Sequence, residues 1–240
     1  MAMQKNKGFT LVEMAVVITI IGMIIGGITL GSNLIHNAQL NNINTEMQKH
    51  IQAIKIFQDK YHAMPGDFST ATSYWSAATN GDGNGQIAAA EEFYAWYHLS
   101  LAQMVEGRFT GTAGTMGTKD RIVGTNIPAS QFPGAGWGLT FIDLSGSTGL
   151  LYSTGNAAPN HVLWLGGRSI SGTTNHQTPL LTSEEAELLD KKIDDGVPST
   201  GKVMAQDNTS TAYSNCHAST SAYAVSTSGQ ICALAFRTGY

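Results

Sequence analysis

The chain has 240 residues, 42% hydrophobic and 12% charged, with a formal net charge of −4, enough apolar material for one core. From Tyr61 to Tyr240, 8 Lys and Arg stand against 14 Asp and Glu, a formal charge of −6, and no basic cluster interleaves with aromatic residues. That balance disfavours phosphate binding, so no nucleic-acid partner is expected. The seven histidines fall in no zinc-ligand spacing, and neither a Gly-x-Ser-x-Gly elbow nor a phosphate-binding loop occurs, so the chain does not read as an enzyme.

Lys5 and Lys7 precede Gly8, and between Phe9 and Leu30 only Glu13 is ionisable. That stretch is 22 residues long, and a helix needs roughly 20 to cross a bilayer core. The lysines ahead of the span, with no acid beside them, place the N-terminus in the cytoplasm by the positive-inside rule. A secretory signal peptide fits less well, because its apolar core runs to about 7–15 residues and is followed directly by a small-x-small site. Its cut would fall at Gly26-Gly27 or Gly31-Ser32. A carboxylate inside the bilayer costs several kcal/mol unless it is paired. Glu13 therefore needs a cation at its own depth, or sits protonated near the headgroups of a simple anchor.

Gly8-Phe9-Thr10-Leu11-Val12-Glu13 resembles the processing site of type IV prepilins and type II secretion pseudopilins. The resemblance implies removal of a leader, residues 1–8, by a prepilin peptidase cutting after Gly8, and methylation of the new N-terminus at Phe9. It also implies an α+β fold with a long N-terminal helix packed on an antiparallel sheet. The partners implied are sister pilin or pseudopilin subunits, an inner-membrane assembly platform with its cytoplasmic ATPase, and membrane lipid. The subunit would cross the inner membrane once, with its head in the periplasm, and then enter a periplasmic or surface filament. In such a filament the α-amine of Phe9 in one subunit can meet Glu13 of a neighbour, neutralising both charges. The alternative is a membrane-tethered or filament-tip binding protein, a calcium-dependent adhesin.

Beyond the span, Leu34, Ala38, Ile43, Met47, Ile51, Ile54 and Tyr61 recur at mostly three- and four-residue steps, and no proline intervenes before Pro65. This predicts one helix from about Phe9 to Lys60, residues 9–31 in the membrane and 32–60 amphipathic, ahead of a loop-rich head over 61–240. Gly22, Gly26, Gly27 and Gly31 would let neighbouring helices approach closely.

Pro65-Gly66-Asp67 ends that helix, and helical segments are predicted over 69–78 and 91–108. Between them, Asn80, Asp82 and Asn84 align with the first three side-chain positions of an EF-hand loop, Gly85 with its sharp turn, Gln86 with the carbonyl ligand and Glu91 with the bidentate acid. These oxygens suit a hard Ca²⁺ ion. Asn80 stands where Asp is usual and Ala88 offers no ligand, so the expected site is weak, matched to millimolar extracellular calcium. A plain Asx-Gly turn is the other reading. His98 reads as a core or surface histidine of the second helix rather than a base.

Short apolar runs at 138–142, 149–152 and 161–165 predict strands, as do 203–205 and 231–236. Thr182-Ser183-Glu184-Glu185 starts a helix, with Ser183 as its cap, and Asp194-Asp195-Gly196 ends it in a solvated loop. Cys216 and Cys232 would be bonded in an oxidising periplasm, and the residues between them read as a hairpin around Ser228-Gly229.

Overall fold

A single helix, α1, runs from Leu11 to Tyr61 in the computed structural model, which describes residues 9–88, 90–142, 160–168, 178–205, 216–219 and 221–239. The chain divides within this helix into two compact units, one ending at Leu40 and one starting at Asn41.

The first unit is helix alone. Its apolar side chains are all exposed from Leu11 to Leu30, and the segment is long and apolar enough to cross a membrane. Its hydroxyls are satisfied internally: Thr19 Oγ1 donates to the Ala15 carbonyl at 2.8 Å and Thr29 Oγ1 to that of Ile25 at 2.7 Å. Back-bonding of this kind lets Thr sit in a span without an unpaired donor in hydrocarbon. Gly22, Gly26, Gly27 and Gly31 do not interrupt the helix, and nothing in the chain crowds their Cα positions.

The second unit is the α+β head together with the last turns of α1. Ile43, Met47, Ile54 and Phe57 form the buried stripe there, while Ile51 and Tyr61 are half-buried. Of the expected stripe residues in the first unit, Leu34 is exposed. The sheet consists of β1 (Gly136–Ile142), β2 (Asn160–Gly166), β3 (Val203–Ala205) and β6 (Leu234–Arg237), all antiparallel in the order β1-β2-β6-β3. Trp137, Trp164, Leu163 and Phe236 are fully buried, as β-branched and aromatic residues on sheet faces favour. Glu46 of α1 ties the helix to the approach of β1, accepting from Trp137 Nε1 at 2.8 Å, Ser130 Oγ at 2.6 Å and the Gln131 amide at 2.7 Å.

The expected strands at 138–142, 161–165 and 203–205 are present; that at 231–236 begins later, at Leu234, and that at 149–152 lies outside the described residues. Other elements differ from expectation. Only a 3-10 turn, Ala71–Ser73, forms in 69–78, because Ser and Thr favour local hydrogen bonds over helix and the Thr72 amide donates to Asn80 Oδ1 at 2.9 Å. Helix α2 spans Glu91–Leu101 rather than reaching 108. Gln103 adopts a left-handed φ of 59°, and the Met104 amide turns back to the Leu99 carbonyl at 2.9 Å, closing the helix. Helix α3, Ser183–Ile193, is capped by Thr182, one residue earlier than expected. The Thr182 hydroxyl accepts from the Glu185 amide and the Glu185 carboxylate from the Thr182 amide, a reciprocal capping box. Ser183 is instead buried, 3.6 Å from the Cys232 sulfur.

A short hairpin of β4 (His217–Ser219) and β5 (Ala222–Tyr223) lies ahead of Ser228-Gly229. Cys216 and Cys232 are bonded across it, 16 positions apart. Closing a loop of that length contributes on the order of 3 kcal/mol in the chain-entropy account. Replacing both cysteines by serine is expected to lower unfolding free energy by about that amount, measurable by urea titration.

Candidate functional site

Thr10 and Glu13 close the start of α1. The Glu13 carboxylate accepts from the Thr10 amide at 2.8 Å and the Thr10 hydroxyl at 2.9 Å, and the Glu13 amide donates back to Thr10 Oγ1 at 3.2 Å. This is a capping box at the mouth of the apolar helix, with Phe9 exposed beside it. Both bonds to the carboxylate fall on Oε2. Gly8 and the rest of the leader lie outside the described residues.

In the head, the loop at 80–91 is built against the turn that ends α1. The Asp67 carboxylate reaches across and accepts from the amides of Gly83 at 2.6 Å, Asn84 at 3.0 Å and Gly85 at 2.7 Å. Gly83 and Gly85 have φ values of 75° and 85°, which turn those amides toward one acceptor at little steric cost. Gly81 has no room for a side chain: a Cβ there would stand 2.4 Å from the Gly66 carbonyl. The far end of the loop is pinned to the sheet, since the Ile87 carbonyl accepts from the Phe141 amide at 2.8 Å and its amide donates to His161 Nε2 at 3.2 Å.

Carboxylate oxygens of Asp67, Asp82 and Glu91 consequently lie within 4.8 Å of one another. Glu91 accepts from the amides of Asp82 at 2.9 Å and Ala88 at 3.1 Å, and Asp82 accepts from the Asn84 amide and side chain at 3.0 and 2.8 Å. Burial pushes Asp67 and Glu91 above the usual carboxylate range, and for Glu91 the neighbouring charges of Asp82 and Asp67 add to the shift. Three acids held this close gain from a cation that offsets their repulsion.

Of the residues predicted as ligands, Asp82 and Glu91 meet in this cluster. Asn80 turns its Oδ1 to the Thr72 amide, Asn84 donates to Asp82 and offers its Oδ1 to the Gln86 amide at 2.7 Å, and Gln86 is exposed. Asp67 was not expected from the sequence; it lies 15 residues upstream of Asp82, outside the EF-hand spacing, and only the preceding Pro-Gly turn marks it.

His98 of α2 holds the two loops together. Its Nδ1 accepts from the Gly66 amide at 3.0 Å, and Nε2 sits 2.9 Å from the Thr79 carbonyl, so the ring is neutral with its proton on Nε2. Burial lowers its pKa, consistent with that state. A second acidic group, Asp190, Asp194 and Asp195, forms at the end of α3, where donors from Tyr223, Gly196, Lys202, Val197 and Thr200 occupy its oxygens.

Residues 3–29 match the family model of the prokaryotic N-terminal methylation motif. The chain carries the hallmark of type IV pilins and pseudopilins. Proteins with this motif are structural, are processed by prepilin peptidase and assemble with other pilin subunits. The match ends at residue 29 and covers the Thr10–Glu13 capping box and all but the last residues of the apolar stretch. No curated protein and no solved structure matches the chain.

Proposed function

We propose that this pilin-like chain is a structural subunit of a type II secretion pseudopilus or type IV pilus, cut after Gly8, methylated on Phe9 and assembled through α1. The observation that carries this reading is the methylation motif on an uninterrupted helix whose apolar stretch to Leu30 holds one acid, Glu13, at its entrance. A membrane-embedded peptidase needs the cleavage site at the cytoplasmic edge of a span, which the order Lys5, Lys7, Gly8, Phe9 supplies. Co-expression with a prepilin peptidase should shorten the chain by residues 1–8, and Gly8→Ala should block the shortening. An unshortened wild-type chain in the presence of active peptidase would count against the reading.

The head binds one Ca²⁺ through Asp67, Asp82 and Glu91, and the ion fixes the 80–91 loop against the end of α1 within the head. At tenfold its Kd, calcium would add about 1.4 kcal/mol to the folded state, roughly 3–6 °C in Tm for a head of this size. Glu91→Gln and Asp67→Asn should each remove the calcium-dependent rise. A melting curve unmoved by calcium, with no binding heat by calorimetry, would leave the loop as a calcium-independent turn.

A further inference from the structure

The end of α3 carries a buried acid that the filament reading does not use. Asp190 is fully buried, and its carboxylate accepts from the Tyr223 hydroxyl at 2.8 Å and the Gly196 amide at 3.2 Å. Tyr223 lies on β5, inside the segment closed by Cys216 and Cys232, so this hydrogen bond joins α3 to the disulfide-closed hairpin. The charged groups around it do not compensate the carboxylate. Asp194 and Asp195 follow on the loop, Glu187 lies one turn back on α3, and Lys191 is bound to Glu187 at 2.9 Å. Strand β3, which also packs on α3, contributes Val203, Met204 and Ala205, with Lys202 just ahead of it; Lys192 of α3 is turned to Asn41 of α1, and His217 stands on β4 of the hairpin.

We propose that Asp190 is a proton-dependent clasp: protonated, it holds hairpin β4–β5 on α3, and ionised, it lets the hairpin open. A neutral acid keeps the bond to Tyr223 in either direction, because the phenol both donates and accepts, whereas an ionised one is a buried charge with acids as neighbours.

Burial, assisted by the charges of Asp195 and Asp194, pushes the Asp190 carboxyl up to about 7 and raises the Tyr223 phenol as well. The folded value lies above the unfolded one of about 4, so the contribution is most favourable in acid and is lost as pH rises from about 4 through about 7. The clasp thus changes state across the range a periplasmic or surface-exposed head meets.

Hydrogen exchange of the full-length protein in detergent, read as protection factors for residues 216–223 between pH 5 and pH 8, tests this. Protection should fall roughly tenfold or more with rising pH in the wild type and stay flat in Asp190→Asn. Tyr223→Phe removes the bond through which the clasp holds the hairpin, so it should lower protection at pH 5 toward the wild-type value at pH 8. A wild-type hairpin equally protected at both pH values, a slope retained in Asp190→Asn, or a Tyr223→Phe hairpin as protected at pH 5 as the wild type would each overturn the proposal.

Discussion

Glu92→Ala is expected to destabilise the head by about 3–5 kcal/mol, because it leaves a buried charge unpaired. Glu92 and Arg121 are 1% and 0% exposed, and Arg121 Nη2 contacts Glu92 Oε2, with Lys119 Nζ 3.3 Å from Oε1. Arg121 Nε and Nη1 have no hydrogen-bond partner among the described residues. Removing Glu92 therefore strands a guanidinium in the interior, which cannot shed its charge. Replacing the pair by Leu and Met should cost far less, because the interior then loses both charges together. Urea unfolding of the two single variants and the double variant separates these outcomes. A double variant as unstable as the sum of the singles would contradict the account of a mutually dependent pair.

Glu13→Ala is expected to leave cleavage after Gly8 intact and to reduce filament yield to background. The carboxylate has two jobs in this sequence. It caps its own helix through Thr10, an interaction worth about 1 kcal/mol, and on the proposed reading it receives the α-amine of Phe9 from a neighbouring subunit. Thr10→Ala removes part of the first and none of the second, so it should assemble nearly normally. The membrane cost of a lone charge, several kcal/mol, is what makes assembly depend on the pairing. Normal filaments from the Glu13→Ala chain would refute the pairing, and an uncut Glu13→Ala precursor would show that the acid serves the peptidase instead.

The N-terminal half of this account was legible in the sequence because its determinants are local. The methylation motif through Glu13, an unbroken apolar run and the absence of proline before Pro65 specify that motif and one helix, and the residues needed are all neighbours. Helix α3 was equally readable from Thr182 to Gly196, save that Thr182 rather than Ser183 faces the open amides; one residue's difference in φ and ψ decides that, and composition does not report it. The acid cluster was half legible. Asp82 and Glu91 share a spacing, but Asp67 joins them only because Gly66 and Gly81 let two backbones touch and His98 bridges them, a contact made by the fold. Asn80 fits the ligand pattern by position, yet its nearest unmet donor is the Thr72 amide, and local hydrogen bonding won over the motif. The strand order β1-β2-β6-β3 likewise depends on pairings between residues some 70 positions apart, such as Leu163 with Phe236, which no local pattern encodes.

The most direct test of the filament reading is mass spectrometry of N-terminal peptides from sheared surface material and from the envelope of the native cell. N-methyl-Phe9 as the first residue is the predicted result: in sheared material it marks a pilus subunit, and confined to the envelope it marks a periplasmic pseudopilus. Retention of residues 1–8, or a chain beginning after Gly27 or Gly31, would contradict the account and leave a tethered or secreted binding protein.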